Sequence, residues 1–140
     1  MAVSLPALDR RAVLIGAVVA AVIVVPAAFF NDAVAPDEGD DASAAVFLAF
    51  LLILGGLAAG GFVAGRLQPN TPLLHGAAAA ALTYVVIQGV LAIRKVVIDE
   101  PVSWLAIVFL TLLAASCGMA GGLLASWRHS RRIDRTAQEG

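Results

Sequence analysis

A histidine and a short polar cluster are the chemically versatile side chains within the apolar stretches of this sequence. His75 lies at the start of one apolar stretch, and Thr83, Tyr84 and Gln88 follow it on the same stretch. An imidazole there can pair with a lipid phosphate or a partner's carboxylate, but a solvated or capping histidine is the interpretation we favour. An unpaired Gln88 amide is costly in lipid, so we expect it to bond another helix or a bound molecule. The cluster therefore predicts hydrogen bonds between helices, with substrate contact as the alternative.

Five carboxylates lie within the ten residues from Asp32 to Asp41. Such a cluster binds calcium when acidic ligands alternate along the loop and a glutamate closes it. The order Asp37-Glu38-Gly39-Asp40-Asp41 has neither feature. Because Pro36 and Gly39 interrupt any helix, we predict a solvated acidic loop over residues 31–41 and no metal site.

No pairing of side chains in the sequence points to catalysis. Cys117 lies in an apolar run, and no base accompanies it as it would accompany a nucleophile. His129 has no metal-ligand companions at a useful spacing. The glycine-rich run follows no predicted strand, so it is not a phosphate-binding loop. We expect a protein that is not an enzyme and that holds no cofactor.

The composition is that of a membrane protein. Of the 140 residues, 61% are hydrophobic and 14% are charged, and the mean hydropathy is +0.93. A soluble domain carries charge on about a quarter of its residues. The net charge of −1 gives no reason to expect nucleic acid as a partner. Eight arginines against one lysine, with abundant alanine, valine and glycine, favour a bacterial source.

Four apolar stretches are long enough to cross a hydrocarbon core of about 30 Å. They cover residues 12–30, 42–65, 73–93 and 102–127. The twin arginine before the first stretch can mark an export signal. That stretch is longer than a signal core, and no small-residue cleavage site precedes Asn31, so we predict an uncleaved anchor. The sequence thus predicts an all-α integral membrane protein with four transmembrane helices in one domain, residues 1–140.

Basic residues are divided unequally between the two sides of the predicted bundle. Seven arginines share the side of both termini: Arg10, Arg11, Arg66, Arg128, Arg131, Arg132 and Arg135. Arg94 and Lys95 lie on the opposite side. Because basic loops stay in the cytoplasm, we predict a bacterial inner-membrane protein with both termini and a basic tail over residues 128–140 inside. The acidic loop then faces outward.

Small residues recur at helical spacing along the second and fourth spans. Within a bilayer, such stripes let two helix backbones approach closely. They comprise Gly56, Gly60, Ala64 and Gly65 in the second span, and Ala114, Gly118, Gly122 and Ser126 in the fourth. We predict close helix contacts at these stripes, and packing inside the bundle is favoured over packing against an external partner.

The two halves of the sequence match each other. Residues 59–65 match residues 120–126 at an offset of 61, and residues 14–17 match residues 74–77 at an offset of 60. Arg66 and Arg128 follow their glycine-rich runs at an offset of 62. Because self-similarity at a fixed offset indicates repeated structure, we predict two repeated helical hairpins.

The run Gly60-Gly61-Phe62-Val63-Ala64-Gly65-Arg66, followed by Leu73-Leu74-His75-Gly76, resembles small bacterial four-span membrane proteins of uncharacterised function. Members of that group look like two glycine-rich hairpins with a basic residue after the second helix. The resemblance covers residues 51–81, and the acidic first loop departs from it. It implies the fold and supplies no active site.

Two hypotheses for the function follow. The small-residue stripes and the missing chemistry favour an accessory or structural subunit of a larger inner-membrane assembly. The alternative is a homo-oligomeric transporter or channel for a small solute or ion, lined by His75, Thr83, Tyr84 and Gln88. The expected partners are the lipid bilayer together with other membrane subunits or a second copy of the chain.

Overall fold

Four helices make up the regular structure of the described residues. The computed structural model describes residues 8–34, 43–98 and 101–138, with residues 132–138 described by their backbone. The helices are α1 (Arg10–Ala33), α2 (Ala44–Leu67), α3 (Pro72–Val97) and α4 (Trp104–Gln138). Each contains a segment long and apolar enough to cross a membrane, and in α4 this segment ends at Arg131. The prediction of an all-α protein with four membrane-spanning helices is confirmed to this extent.

The helices extend beyond the predicted apolar spans. α1 continues through Asp32, α3 includes Arg94 and Lys95, and α4 continues past Arg128. Charged side chains at a helix end reach water while the backbone keeps its hydrogen bonds, so polarity alone does not end a helix. Of the predicted acidic loop, residues 31–33 belong to α1, and residues 35–41 lie outside the described residues.

Local sequence signals explain where the helices begin. The Asp9 carboxylate accepts hydrogen bonds from the Arg11 and Ala12 backbone N–H groups, at 2.8 and 3.4 Å, and so caps α1. The Ser43 hydroxyl accepts from the Val46 N–H at 3.4 Å and caps α2. α3 starts with Pro72, whose missing N–H costs nothing in a first turn.

The two middle helices form the centre of the bundle. α2 and α3 contact each other and both outer helices, whereas α1 and α4 do not contact each other within the described residues. The cross-section is therefore a rhombus with α2 and α3 on its short diagonal. We call the end where α1 and α3 begin the termini end. The opposite end, where α2 and α4 begin, is the loop end.

The small-residue stripe of α2 packs against α1. A Cβ added at Gly56 would lie 2.9 Å from the Ile23 side chain, and one added at Gly60 would lie 2.6 Å from Ala20 Cβ. Ala64 is fully buried on the same face. Gly61 and Gly65 lie on a different face of α2, and they contact Gly118 and Gly122 of α4. α2 is therefore packed on two sides through small residues.

The stripe of α4 packs mainly against α3. A Cβ added at Gly118 would meet the backbone of Gly76 and would lie 2.6 Å from Ala80 Cβ. One added at Gly122 would meet the backbone of Pro72. Ala114 belongs to the apolar core, and Ser126 lines a small cavity at the termini end. Both stripes thus lie inside the bundle, and each faces chiefly the other helix of its own hairpin.

Side-chain size separates the inside of the bundle from the outside. The buried apolar residues are mostly alanines, together with Val24 and Leu57. Large apolar side chains point outward, and Val22, Phe29 and Leu105 are 69, 73 and 81% exposed. Because a bilayer solvates such side chains and small residues let helices approach, this distribution suits a protein surrounded by lipid.

Candidate functional site

Thr83 is engaged inside the bundle. Its hydroxyl oxygen lies 2.9 Å from the Ala79 carbonyl on α3 and 3.2 Å from the Ala17 carbonyl on α1. The side chain is buried, with 4% of its surface exposed. Thr83 therefore joins α3 to α1 and does not line a cavity.

His75 is also buried and fully bonded. The Asp9 backbone N–H donates to Nε2 at 2.9 Å, and Nδ1 lies 2.9 Å from Thr71 Oγ1 and 3.0 Å from the Thr71 carbonyl. Because Nε2 accepts an N–H, the neutral ring carries its proton on Nδ1, which donates to Thr71. Only 1% of His75 is exposed. Of the two alternatives, a solvated or a capping histidine, the solvated one is wrong, because the start of α1 covers the ring. The ring bonds Asp9 and Thr71, the residues that precede α1 and α3.

Asp9 and Gln68 complete this group, which we call the termini clasp: Asp9, Gln68, Thr71 and His75. The Gln68 amide donates to Asp9 Oδ2 at 2.6 Å. The clasp ties the start of α1 to the turn between α2 and α3. Sequence reasoning did not identify Asp9 or Gln68, although an aspartate directly before an apolar helix is a recognised capping signal.

The clasp makes the stability of the protein depend on pH through Asp9. The Gln68 amide, followed by the Arg11 N–H, holds the pKa of Asp9 below its ordinary value of 3.8. A carboxyl whose pKa is lowered by folding contributes stability above its unfolded pKa, and this contribution is lost as the pH falls through the folded pKa.

We therefore expect Asp9→Asn to be less stable than the wild type at neutral pH, with the difference shrinking in acid. Asparagine retains the capping ability, so the substitution isolates the charge. Thermal unfolding in neutral detergent between pH 7 and about pH 2 measures this, because the range then extends well below the ordinary pKa of aspartate, about 3.9. A difference between the two proteins that stays constant with pH would contradict the assignment.

A cavity of about 500 Å³ opens between α3 and α4 at the loop end. At the termini end the two helices are held together by Gly76 against Gly118 and by Pro72 against Gly122. Among the described residues, the loop-end half of α3 has no such glycine contact with α4, and a Cβ added at Gly89 would meet nothing within 4 Å. Among the described residues the helices are therefore packed closely at the termini end and less closely at the loop end, where the cavity lies.

One face of α3 supplies the polar wall of the cavity. Tyr84, Gln88, Leu91 and Lys95 recur at the spacing of one helix face, and Arg94 lies beside them at the mouth. The α4 side of the cavity is mostly apolar and includes Ala106, Ile107 and Leu110. Asp32 of α1 also reaches the mouth. The cavity thus combines a polar wall, an apolar wall and a charged entrance.

Tyr84 stands between the cavity and the apolar core. Its ring packs against the core cluster of Val24, Leu57, Ala80 and Ala114. Among the described residues its hydroxyl has no hydrogen-bond partner, and the oxygen is closed off from solvent. A buried hydroxyl without a partner costs about 1–3 kcal/mol. Tyr84 therefore carries a buried hydroxyl beside the cavity that no described residue satisfies.

The structure separates the polar residues that the sequence grouped together. His75 and Thr83 bond inside the bundle, whereas Tyr84 and Gln88 line the cavity. Sequence reasoning missed the charged residues of the mouth as members of this site: Asp32, Arg94 and Lys95. The helical spacing from Tyr84 through Gln88 to Lys95 was a signal that could have linked one of them, Lys95, to the site.

Comparison of the chain with protein-family models, with characterised proteins and with solved structures gives no match.

Proposed function

We propose that this protein is a non-catalytic membrane transporter of small organic monoanions, which it binds in the loop-end cavity. The observation that supports this most is a cavity of about 500 Å³ within a membrane-spanning bundle, lined on one side by polar and basic residues. Binding sites for small molecules have volumes of about 300–1,000 Å³ and combine apolar walls with a few polar groups. The cavity lies within one chain, so a single copy can form the site.

The charges at the mouth select the solute. Arg94 and Lys95 attract an anionic group, and the Gln88 amide deeper in the cavity supplies two N–H donors. Asp32 at the same mouth repels a second negative charge on the solute, which favours monoanions. The apolar α4 wall accepts a ring or a short alkyl chain.

In this proposal, the arrangement of the described residues is the state in which the solute enters at the loop end. Between the cavity and the termini end lie the core cluster and the glycine contacts of α3 with α4. The termini clasp holds the start of α1 against the α2–α3 turn. Transport requires the contacts at the termini end to open while the loop end closes. The clasp is the polar part of the contacts that close the termini end.

The packing of the small-residue stripes argues against the hypothesis of an accessory subunit. That hypothesis depended on small-residue stripes that could bind another protein. Gly60 contacts α1 and Gly118 contacts α3, so the stripes are occupied within the chain. Defined proteins that co-purify with it at fixed stoichiometry would restore the subunit hypothesis.

We place the termini end in the cytoplasm of a bacterial inner membrane, because seven arginines of the sequence belong to that side. We also propose that the two hairpins arose by duplication. Gly60 contacts Gly16 and Ala20, and Gly118 contacts Gly76 and Ala80 in the same way, 60 residues later in the partner helix. The α3 partners follow their α1 counterparts by 60 residues, as in the sequence match, whereas Gly118 follows Gly60 by 58 residues and not by 61. The recurrence of this contact therefore supports a repeated hairpin packing, but not the alignment of α2 with α4 that the sequence match gives.

Uptake of benzenesulfonate into proteoliposomes tests the proposed function. This anion is permanently charged, and benzenesulfonamide is a neutral molecule of similar shape. We expect uptake above that of protein-free liposomes for the anion only, and we expect Gln88→Leu and Lys95→Gln each to lower this protein-dependent uptake about tenfold. A hydrogen bond to a charged group contributes about 1.5–3 kcal/mol, and about 1.4 kcal/mol is a tenfold change.

Two matched variants serve as controls. Val90→Leu changes the exposed surface of α3 outside the cavity, and Arg131→Gln removes a positive charge at the other end. Both should leave uptake unchanged. A folded wild-type protein without uptake, or a Gln88→Leu variant with full uptake, would refute the proposal.

A further inference from the structure

A second, smaller cavity opens at the termini end, where α2 ends beside α4. Its volume is about 150 Å³, and it shares no lining residue with the loop-end cavity. Its wall consists of Gly65, Arg66, Pro69, Ala125, Ser126, Arg128 and His129. Three of these side chains are basic: Arg66 from α2, and Arg128 and His129 from α4.

Close packing of α2 and α4 brings the two arginines together. A Cβ added at Gly65 would lie 2.9 Å from the Cα of Gly122, so the two parallel helices are almost in backbone contact just before the arginines. The guanidinium carbons of Arg66 and Arg128 lie 5.7 and 5.4 Å from the centroid of the Phe62 ring. Cation–π attraction to a shared ring holds both groups near the cavity.

An anion between these side chains would stabilise the arrangement. Two guanidinium groups at one aromatic ring repel each other, and a negative charge between them reverses the sign of that interaction. Guanidinium groups bind the oxygens of a phosphate in pairs, and the imidazole of His129 can donate a further hydrogen bond. A volume of about 150 Å³ accommodates one tetrahedral anionic group.

We infer that this cavity is a phosphate-binding site, with Arg66 and Arg128 as its two ligand-holding residues. The chemistry is the same for the headgroup of an anionic phospholipid and for free phosphate. The site lies at the membrane surface, because Trp127 and Arg128 fall in the last part of the apolar segment of α4. This inference is independent of the proposed transport.

Tryptophan fluorescence can report binding at this site. The chain has two tryptophans, Trp104 and Trp127, and Trp127 directly precedes Arg128. In a Trp104→Phe background, Trp127 is the single reporter. We would titrate inorganic phosphate into protein held in phosphatidylcholine nanodiscs. In parallel, we would compare these nanodiscs with nanodiscs that also contain phosphatidylglycerol.

We expect a change in Trp127 emission in at least one of the two measurements. In the phosphate titration the change should saturate, and in the lipid comparison it should depend on phosphatidylglycerol. Arg66→Gln and Arg128→Gln should each weaken binding about tenfold. Arg66→Lys keeps the charge but loses the paired N–H donors, so it should weaken binding nearly as much. Arg131→Gln is the matched control, because Arg131 is exposed on the same helix and does not line the cavity.

The outcomes separate the sources of the ligand and test the site itself. A response to inorganic phosphate that depends on both arginines supports a soluble phosphate ligand. A response confined to phosphatidylglycerol with the same dependence supports a lipid headgroup. Equal weakening by Arg131→Gln would mean general attraction to anionic lipid and would overturn the inference. No response in either arm, from protein that unfolds at the wild-type temperature, would overturn it as well.

Discussion

Gly118→Ala is expected to lower the stability of the bundle by about 3 kcal/mol or more, since overpacking a tight interior costs about 1–3 kcal/mol even where side chains can adjust. The added Cβ would meet the backbone of Gly76 and would lie 2.6 Å from Ala80 Cβ. Backbone atoms cannot move aside as a flexible side chain can, so α3 and α4 must separate. Unfolding in mixed micelles of neutral detergent and dodecyl sulfate, followed by circular dichroism, measures the effect.

Two glycines of the same chain serve as controls for this prediction. A Cβ added at Gly55 or Gly89 would meet nothing within 4 Å. Alanine at these positions should preserve or raise stability, because alanine is the better helix former by about 1 kcal/mol in water. If Gly55→Ala were as harmful as Gly118→Ala, the loss would not come from close helix contact.

His75→Leu is expected to destabilise the protein by about 2–3 kcal/mol, because it leaves buried polar groups without partners. The Asp9 N–H loses its acceptor, and Thr71 loses the donor on Nδ1. His75→Gln should recover part of the loss, since an amide has both a donor and an acceptor. The midpoint of thermal unfolding in neutral detergent should be highest for the wild type, intermediate for His75→Gln and lowest for His75→Leu.

The second histidine supplies the control. His129 is exposed on α4, outside the clasp, so His129→Leu should leave the midpoint within the experimental error of the wild type. A His75→Leu protein as stable as the wild type would mean that the clasp does not hold the termini end together. In that case the description of the clasp as the polar part of the closed end would fail.

The two ends of the bundle differ because small and large residues are distributed unequally along the helices. Glycines bring α3 and α4 together at the termini end, at Gly76 and Gly118. The loop-end half of each helix carries larger side chains such as Leu91 and Leu110, and the cavity lies between them.

The sequence by itself determined the four helices and their lipid surroundings. Both follow from local properties, since the length and hydropathy of a stretch decide whether it can cross a bilayer. The sequence also placed Gly56 and Gly60 on one helix face, because helical periodicity fixes which residues lie side by side. Local signals failed at the helix ends, where Arg94 and Lys95 remain helical beyond the apolar span.

Only the tertiary structure decided which faces meet. Asp9 and His75 are 66 positions apart in the chain, and nothing in either segment specifies that the start of α1 covers the imidazole. In the same way, Gln88 belongs to a cavity with Asp32 because α1 and α3 end at the same end of the bundle. Helical periodicity defines a face but not its partner. That choice depends on how all four helices pack at once, which is a property of the whole chain.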